Sequence, residues 1–216
     1  MIRPRVPTAA VVLTVVATLT ACGGKIIEGQ PSGIAAPRAI AGGDLRACNH
    51  VDAPLVDIPT QGDAEPQLRV PQPDGWQRDD SLDNQLIRYR MVNKAMTRYI
   101  LAPNVVVSLV HLSNVDAATE FDKQLASLRA MPSNTNVVST RGKQCGYPAA
   151  TLGLTQPAVA PGTPQRALRA RSMLIGTGAQ QFLATATVQS NDPDNPVYQK
   201  DAQMILDGLQ VTTPGV

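Results

Sequence analysis

Two pairs of arginines, Arg88/Arg90 and Arg169/Arg171, each lie two residues apart in stretches that alternate as strands do. At a period of two, both members of a pair face the same side of a strand. Were the two strands neighbours, four guanidiniums would form one patch able to grip phosphate or sulfate groups bidentately. Lys94 and Arg98 would extend it. The competing reading is a solvated strand face, salt-bridged to acids. Other chemistry is thin. There is no Gly-x-Ser-x-Gly elbow, no His-Glu-x-x-His and no phosphate-binding glycine loop; Gly176-Thr177-Gly178 lacks a following lysine and fits a hairpin turn. The chain holds two histidines, His50 and His111, and both read as structural or exposed rather than as bases. Asp79, Asp80 and Asp83 read as a hydrated loop, and Asp192 and Asp194 as loop and cap residues rather than calcium ligands. No catalytic residue, cofactor or metal is expected.

The three cysteines carry more. Cys22 ends the box Leu19-Thr20-Ala21-Cys22, behind a basic start (Arg3, Arg5) and an uncharged run from Val6 to Thr20. That run is too short for a comfortable ~20-residue span. It resembles the bacterial lipoprotein signal, in which small residues fit a protease site and the cysteine thiolate takes a diacylglyceryl group. The resemblance implies acylation of Cys22 with palmitate-type chains and export to the outer face of the cytoplasmic membrane. Several buried acyl chains, at ~0.8 kcal/mol per CH₂, hold such an anchor without a spanning helix. Cys48 and Cys145 then remain, an even number in an oxidising compartment, which points to a disulfide. Two separate buried thiols, or metal ligands, are the alternatives; Cys48-Asn49-His50 has the wrong spacing for a chelate pair.

The elements follow from this frame. Residues 1–21 are the signal peptide. Residues 22–47, rich in Gly, Pro and Ala without period, are a flexible tether with a reach of about 25–30 Å. Residues 48–216 form one globular domain. In it, 52–63 reads as a loop and 65–70 as a short strand ended by the turn Pro73-Asp74-Gly75, after which Trp76 packs inward. Strands are expected at 87–92 and 104–112, the second apolar on both faces and so covered on both sides. Ser113 or Asn114 would cap a helix from Val115 to about Met131, with Phe121, Leu125 and Leu128 on one stripe. Strands at 136–143 and 149–156 follow, then a hairpin with arms 166–175 and 179–189. Asn195 caps a last helix opening with Pro196 and ending about Leu209.

Charge narrows the partners. The formal net charge is +2, with 43% hydrophobic and 17% charged residues. The excess base lies in the signal segment, so the exported part is balanced and nucleic acid is not an expected partner. Strands following strands, with two long helices, make an α+β domain: an antiparallel sheet flanked by helices. The lipobox, the tether, Val70-Pro71-Gln72-Pro73-Asp74-Gly75-Trp76, the strand Pro103-Asn104-Val105-Val106-Val107 and the final amphipathic helix resemble the mycobacterial LpqN/LpqT-type lipoproteins, of Mog1/PsbP-like fold. That resemblance implies an α/β/α sandwich and a cell-envelope role, accessory to lipid or glycolipid transport, beside membrane exporters. The expectation is a non-enzymatic binding or adaptor domain with an envelope protein or an amphipathic lipid as partner. The alternatives are an envelope hydrolase or transferase with an unrecognised site, and a lipid carrier with an apolar cavity.

Overall fold

The structure, a computed structural model, describes residues 48–158 and 160–212. The signal peptide, Cys22 and the tether lie outside the described residues. In chain order the elements are β1 (Leu55–Ile58), β2 (Gln67–Pro71), β3 (Gln77–Arg78), β4 (Ile87–Val92), a 3-10 turn at Lys94–Met96, β5 (Asn104–Leu112), α1 (Ala117–Ala130), β6 (Thr135–Gln144), β7 (Tyr147–Gln156), β8 (Arg166–Thr177), β9 (Gln180–Ser190), α2 (Pro196–Asp207) and β10 (Gln210–Thr212). Seven strands form one antiparallel sheet in the order β3-β4-β5-β9-β8-β7-β6, and β1-β2-β10 form a smaller one.

The valine-rich β5 sits inside the large sheet and, as expected, is apolar on both faces. Its register with β9 sets Val105, Val107 and Leu109 opposite Val188, Ala186 and Ala184. This face carries the main core, where Ile205, Ala202 and Tyr198 of α2 meet Leu68, Val70 and Val211 of the small sheet. Burial pushes the Tyr198 phenol well above its ordinary value, the Arg169 charge pulling the other way. Trp76 is buried, and its Nε1 donates to Asp201 Oδ2 of α2 at 2.8 Å. The other face of the sheet packs against α1 through a second cluster of Phe121, Ala150, Leu174 and Leu183. One face is thus covered by α2 with the small sheet, the other by α1. Among the described residues no helix is long and apolar enough to cross a membrane.

Four details depart from the sequence reading. Residues 52–63 contain β1, a short strand held between Pro54 and Pro59, which pairs with β2. The N-cap of α1 is Asp116, whose carboxylate accepts from Thr119 N, a bond that also lowers the acid's pKa. Ser113 and Asn114 instead tie the chain to the β8–β9 turn, through Ser113 Oγ to Ala179 O and Asn114 N to Gly178 O. That turn falls at Gly178-Ala179, because Gly176 and Thr177 already pair with Gln181 and Gln180. Finally α2 stops at Asp207, because Gly208 lets the chain reverse into β10: a Cβ there would lie 2.4 Å from Pro71 Cγ and 2.8 Å from Met204 O. Asn195 does cap α2, accepting from Val197 N and Tyr198 N, with Pro196 at the first helical position.

Candidate functional site

A mainly apolar cleft opens between α1 and the sheet. Phe121, at the front of α1, is buried, whereas Leu125 and Leu128 further along are only half-buried. The helix therefore closes down over β7 at one end and leaves a cleft at the other. The cleft has a volume of about 500 Å³, and its floor is Leu152 and Leu154 of β7, Leu168 and Ala170 of β8 and Leu183 of β9. Val110 and Leu128 flank it, and Glu120, Lys123 and Gln124 reach it from α1. Sites for small molecules commonly measure ~300–1,000 Å³, with mostly apolar walls and a few placed polar groups.

The sheet register explains the floor. On the α1 side, cross-strand partners run Ser108–Thr185–Ser172–Ala150 in one row. The next row holds Val106, Thr187, Ala170 and Leu152. Small and apolar residues thus alternate with a stripe of hydroxyls, which leaves both depth and a polar line.

The arginine pairs do not assemble. Strands β4 and β8 are separated by β5 and β9. Within β4 a bulge shifts the register between Ile87 and Tyr89. Arg88 therefore turns to the side of Leu109 and His111, whereas Arg90 sits opposite Val106 on the other face. The period of two on which the patch rested fails at the bulge. Arg88 grips Glu65, Arg90 pairs with Asp79, and Arg171 reaches Asp207 at 2.6 Å. Arg169 does share a face with Arg171, and donates to Gln203 of α2. Of the residues that would have extended the patch, Arg98 pairs with Asp192 at 2.9 Å and Lys94 opens the 3-10 turn. The alternative reading, a strand face salt-bridged to acids, describes what is there.

The structure joins Cys48 to Cys145, with an S–S distance of 2.04 Å across 97 positions of sequence. His50 is exposed beside Asp52 at 3.8 Å, and His111 stacks edge-on against Phe182 with ring centroids 5.1 Å apart. Asp83 pairs with Arg78, so the Asp79/Asp83 loop is a set of ion pairs; Asp80 stays exposed. The Ser81 hydroxyl and amide, then the Arg90 charge, hold the Asp79 carboxyl below its ordinary value. Among the described residues no group of three His, Cys, Asp or Glu side chains could hold a metal ion. The cleft itself was the feature that residue-by-residue reading missed. Its only trace in the sequence is the mixture of Ser and Thr among the apolar positions of β5, β8 and β9 on one side of the sheet.

No protein-family model matches the chain, and no curated protein matches it in sequence. Solved structures do. LpqN of Mycobacterium tuberculosis, described as involved in cell envelope biogenesis, superposes with a TM-score of 0.59 at 17% identity, over 79% of this chain and 95% of LpqN. The Ran-binding protein Mog1p of Saccharomyces cerevisiae gives 0.42 at 12% identity, over 74% of this chain and 96% of Mog1p. PsbP (CyanoP) of Synechocystis sp. PCC 6803 gives 0.44 at 11% identity, over 74% and 94%. An antiparallel sheet with a helix on either face, superposing over nearly all of LpqN, gives this chain the LpqN-like α+β fold that its sequence suggested.

Proposed function

We propose that the chain is a lipid-anchored binding domain of the cell envelope, without a catalytic role, whose cleft under α1 holds the apolar chain of an amphipathic lipid. The observation that carries this reading is the cleft: a volume of about 500 Å³ floored by leucines on one side of the sheet. The likeness to LpqN, a protein described by its part in cell envelope biogenesis, supports the compartment. The box Leu19-Thr20-Ala21-Cys22 supports the anchor, with residues 1–21 removed, 22–47 as tether and 48–216 as the domain. Tethering raises the effective concentration of the domain at the membrane, so a weak grip on lipid suffices. Membrane exporters or other envelope proteins would be the partners that deliver or take up the lipid.

Two measurements test this. The intact mass of membrane-extracted protein is expected to begin at Cys22 with acyl mass added, and Cys22→Ala to leave the membrane fraction. A mature form that retains residues before Cys22 would overturn the anchor. Native mass spectrometry of the full chain is expected to show co-purified lipid that Ala170→Trp, which fills the cleft floor, reduces at least tenfold. Equal lipid on both proteins would remove the cleft from the account. Turnover of an envelope ester by the purified chain would replace the binding role with the hydrolase alternative.

A further inference from the structure

The loop between β4 and β5 ends in a strained, exposed tip. Arg98 N donates to Leu101 O and Leu101 N to Arg98 O, each at 3.2 Å, which makes Tyr99 and Ile100 the central residues of a tight turn. Tyr99 has a φ of 56°, where glycine sits freely and a bulky side chain carries strain. Burial does not offset that strain: Tyr99 is 55% exposed and Ile100 65%. The base of the turn is nevertheless braced. Asn191 Nδ2 donates to Arg98 O at 3.0 Å, Arg98 pairs with Asp192 at 2.9 Å, and Thr97 Oγ1 donates to Lys94 O at 2.7 Å. The fold thus holds an aromatic ring and a branched aliphatic chain out in solvent.

Strand pairing places the tip at one end of the large sheet. Asn104, three residues past Leu101, is level with Gln189, Leu168 and Leu154 on the successive strands β9, β8 and β7. The Cys145 turn, to which Cys48 is joined, lies at the other end. α1 starts from that other end and returns, so Leu128 and Met131 stand at the tip's end, where Gln156 Nε2 donates to Asn134 Oδ1 at 3.2 Å. α2 follows β9 at the tip's end, so Val197, in its first turn, is there as well. Met131 and Val197 are exposed like the tip, whereas the exposed Leu82 and Leu86, ahead of β4, are at the other end. The cleft is closed by Phe121 toward the Cys145 turn and opens toward Leu128, Leu154 and Leu168, so its mouth shares the end with the tip. The exposed charges around that end are mixed, Lys94, Arg98 and Arg129 against Asp74 and Asp194.

A tyrosine has an apolar body and a polar tip, which suits the boundary between water and lipid. Ile100 beside it, with Met131 and Val197 around it, adds apolar area that gains by leaving water. Mixed charge supplies no net pull toward an anionic or a cationic surface, so the apolar groups must supply the grip. Those groups stand on three separate elements around a protruding tip, an arrangement that a deformable lipid surface accommodates better than a rigid protein face. We infer that this end of the sheet seats in the interfacial layer of a bilayer, with Tyr99 and Ile100 leading and the cleft mouth turned to the lipid. Passage of a lipid chain from there into the cleft rests on the reading of the cleft as a lipid site; the seating of the tip does not. The tether is long enough: its reach of about 25–30 Å matches the ~30 Å that the nine residues of β5 span, so a chain anchored at Cys22 can bring the end far from Cys48 to the membrane.

The test reads which end of the domain meets lipid. The full chain is taken from the membrane fraction with one added cysteine carrying an environment-sensitive dye, Ala95→Cys beside the tip or Gly62→Cys at the other end, where Gln61 bonds to Asn84 O; both positions are exposed. It is reconstituted in vesicles of phosphatidylcholine that include a spin-labelled phosphatidylcholine as quencher. The dye at 95 is expected to be quenched about threefold more than the dye at 62, the contrast between a site within about 10 Å of the interface and one a sheet length away. Tyr99→Gly with Ile100→Ser is expected to bring quenching at 95 down to that at 62, with an unchanged or raised urea midpoint, since glycine takes the positive φ without strain. Equal quenching at the two sites of the wild type, stronger quenching at 62, or quenching at 95 that survives the double change would overturn the seating. Quenching at neither site would leave the apolar end to a protein partner and overturn it too. If the dye at 95 is quenched while Ala170→Trp carries as much lipid as the wild type, the seating stands and the cleft reading alone falls.

Discussion

Replacing Cys48 and Cys145 together by alanine is expected to destabilise the domain by about 4–5 kcal/mol, the largest effect of any change considered for this chain. The bond closes a loop of 97 positions, and in the chain-entropy argument a loop that long restricts the unfolded chain heavily. The place it fastens matters as well. Cys145 and Gly146 form a two-residue turn between β6 and β7, with φ of 51° and 79°. Two positive φ values suit the right-handed twist of a hairpin, although a side chain at the first of them carries strain. Gln144, just before the turn, donates through Nε2 to Leu206 O at 3.1 Å and Leu209 O at 2.6 Å. The disulfide therefore ties the start of the domain to a hairpin tip already lashed to the end of α2. Urea unfolding of the exported wild type and of the double variant, both followed by fluorescence of Trp76, measures the difference. A loss below about 1 kcal/mol, or free thiols at both positions in exported protein, would contradict this account.

The second large effect is expected at the Arg88–Glu65 pair. Arg88 Nη1 and Nη2 donate to the two Glu65 oxygens at 2.9 and 2.5 Å, and Nε donates to Gln85 O at 2.8 Å. The side chains are 7% and 14% exposed. Glu65→Leu leaves an enclosed guanidinium with one backbone carbonyl, at a cost of about 3 kcal/mol. Adding Arg88→Met to Glu65→Leu is expected to recover most of that loss, since two apolar groups leave no charge unpaired. The pair also predicts a pH effect. Burial alone would raise the Glu65 pKa, but the bonds from Arg88 and from Gln61 N, with the Arg88 charge, outweigh it and hold the carboxyl below its ordinary value of 4.5. The folded value lies below the unfolded one, so the contribution is complete above about pH 4.5 and is lost as pH falls through the depressed folded value. Urea midpoints of wild type and of the double variant should therefore converge in acid; parallel curves would contradict the linkage.

The larger part of the fold was legible because its signals are local. The valine run of β5, the Phe182/Ala184/Ala186/Val188 alternation of β9 and the Asn195-Pro196 opening of α2 each announce themselves within ten residues. Of the small sheet only its central strand β2 was legible, as the short strand expected at 65–70. β1 has four residues and β10 three, and both owe their extended state to β2, which lies far away in sequence from β10. The arginine patch failed for a related reason. Period-two reasoning assumes an unbroken ladder, and the bulge at Arg88 is set by how β4 meets β5, which no window around residue 88 contains. The cleft is a matter of what α1 fails to cover, which depends on where a helix comes to rest on a sheet.

The long reach from β2 to β10 also sets an order in time. Thr212 Oγ1 donates to Gln67 O across 145 positions of sequence. At roughly 5–20 residues per second of synthesis, about 7–30 s separate the appearance of those two segments. Through that interval β2 presents a bare edge, and Leu68 and Val70 wait for the Val211 that will share their core. The seven strands of the large sheet all precede β10, so the small sheet can be completed only after every strand of the large one has been synthesised. Such a chain is slow to finish by virtue of its topology.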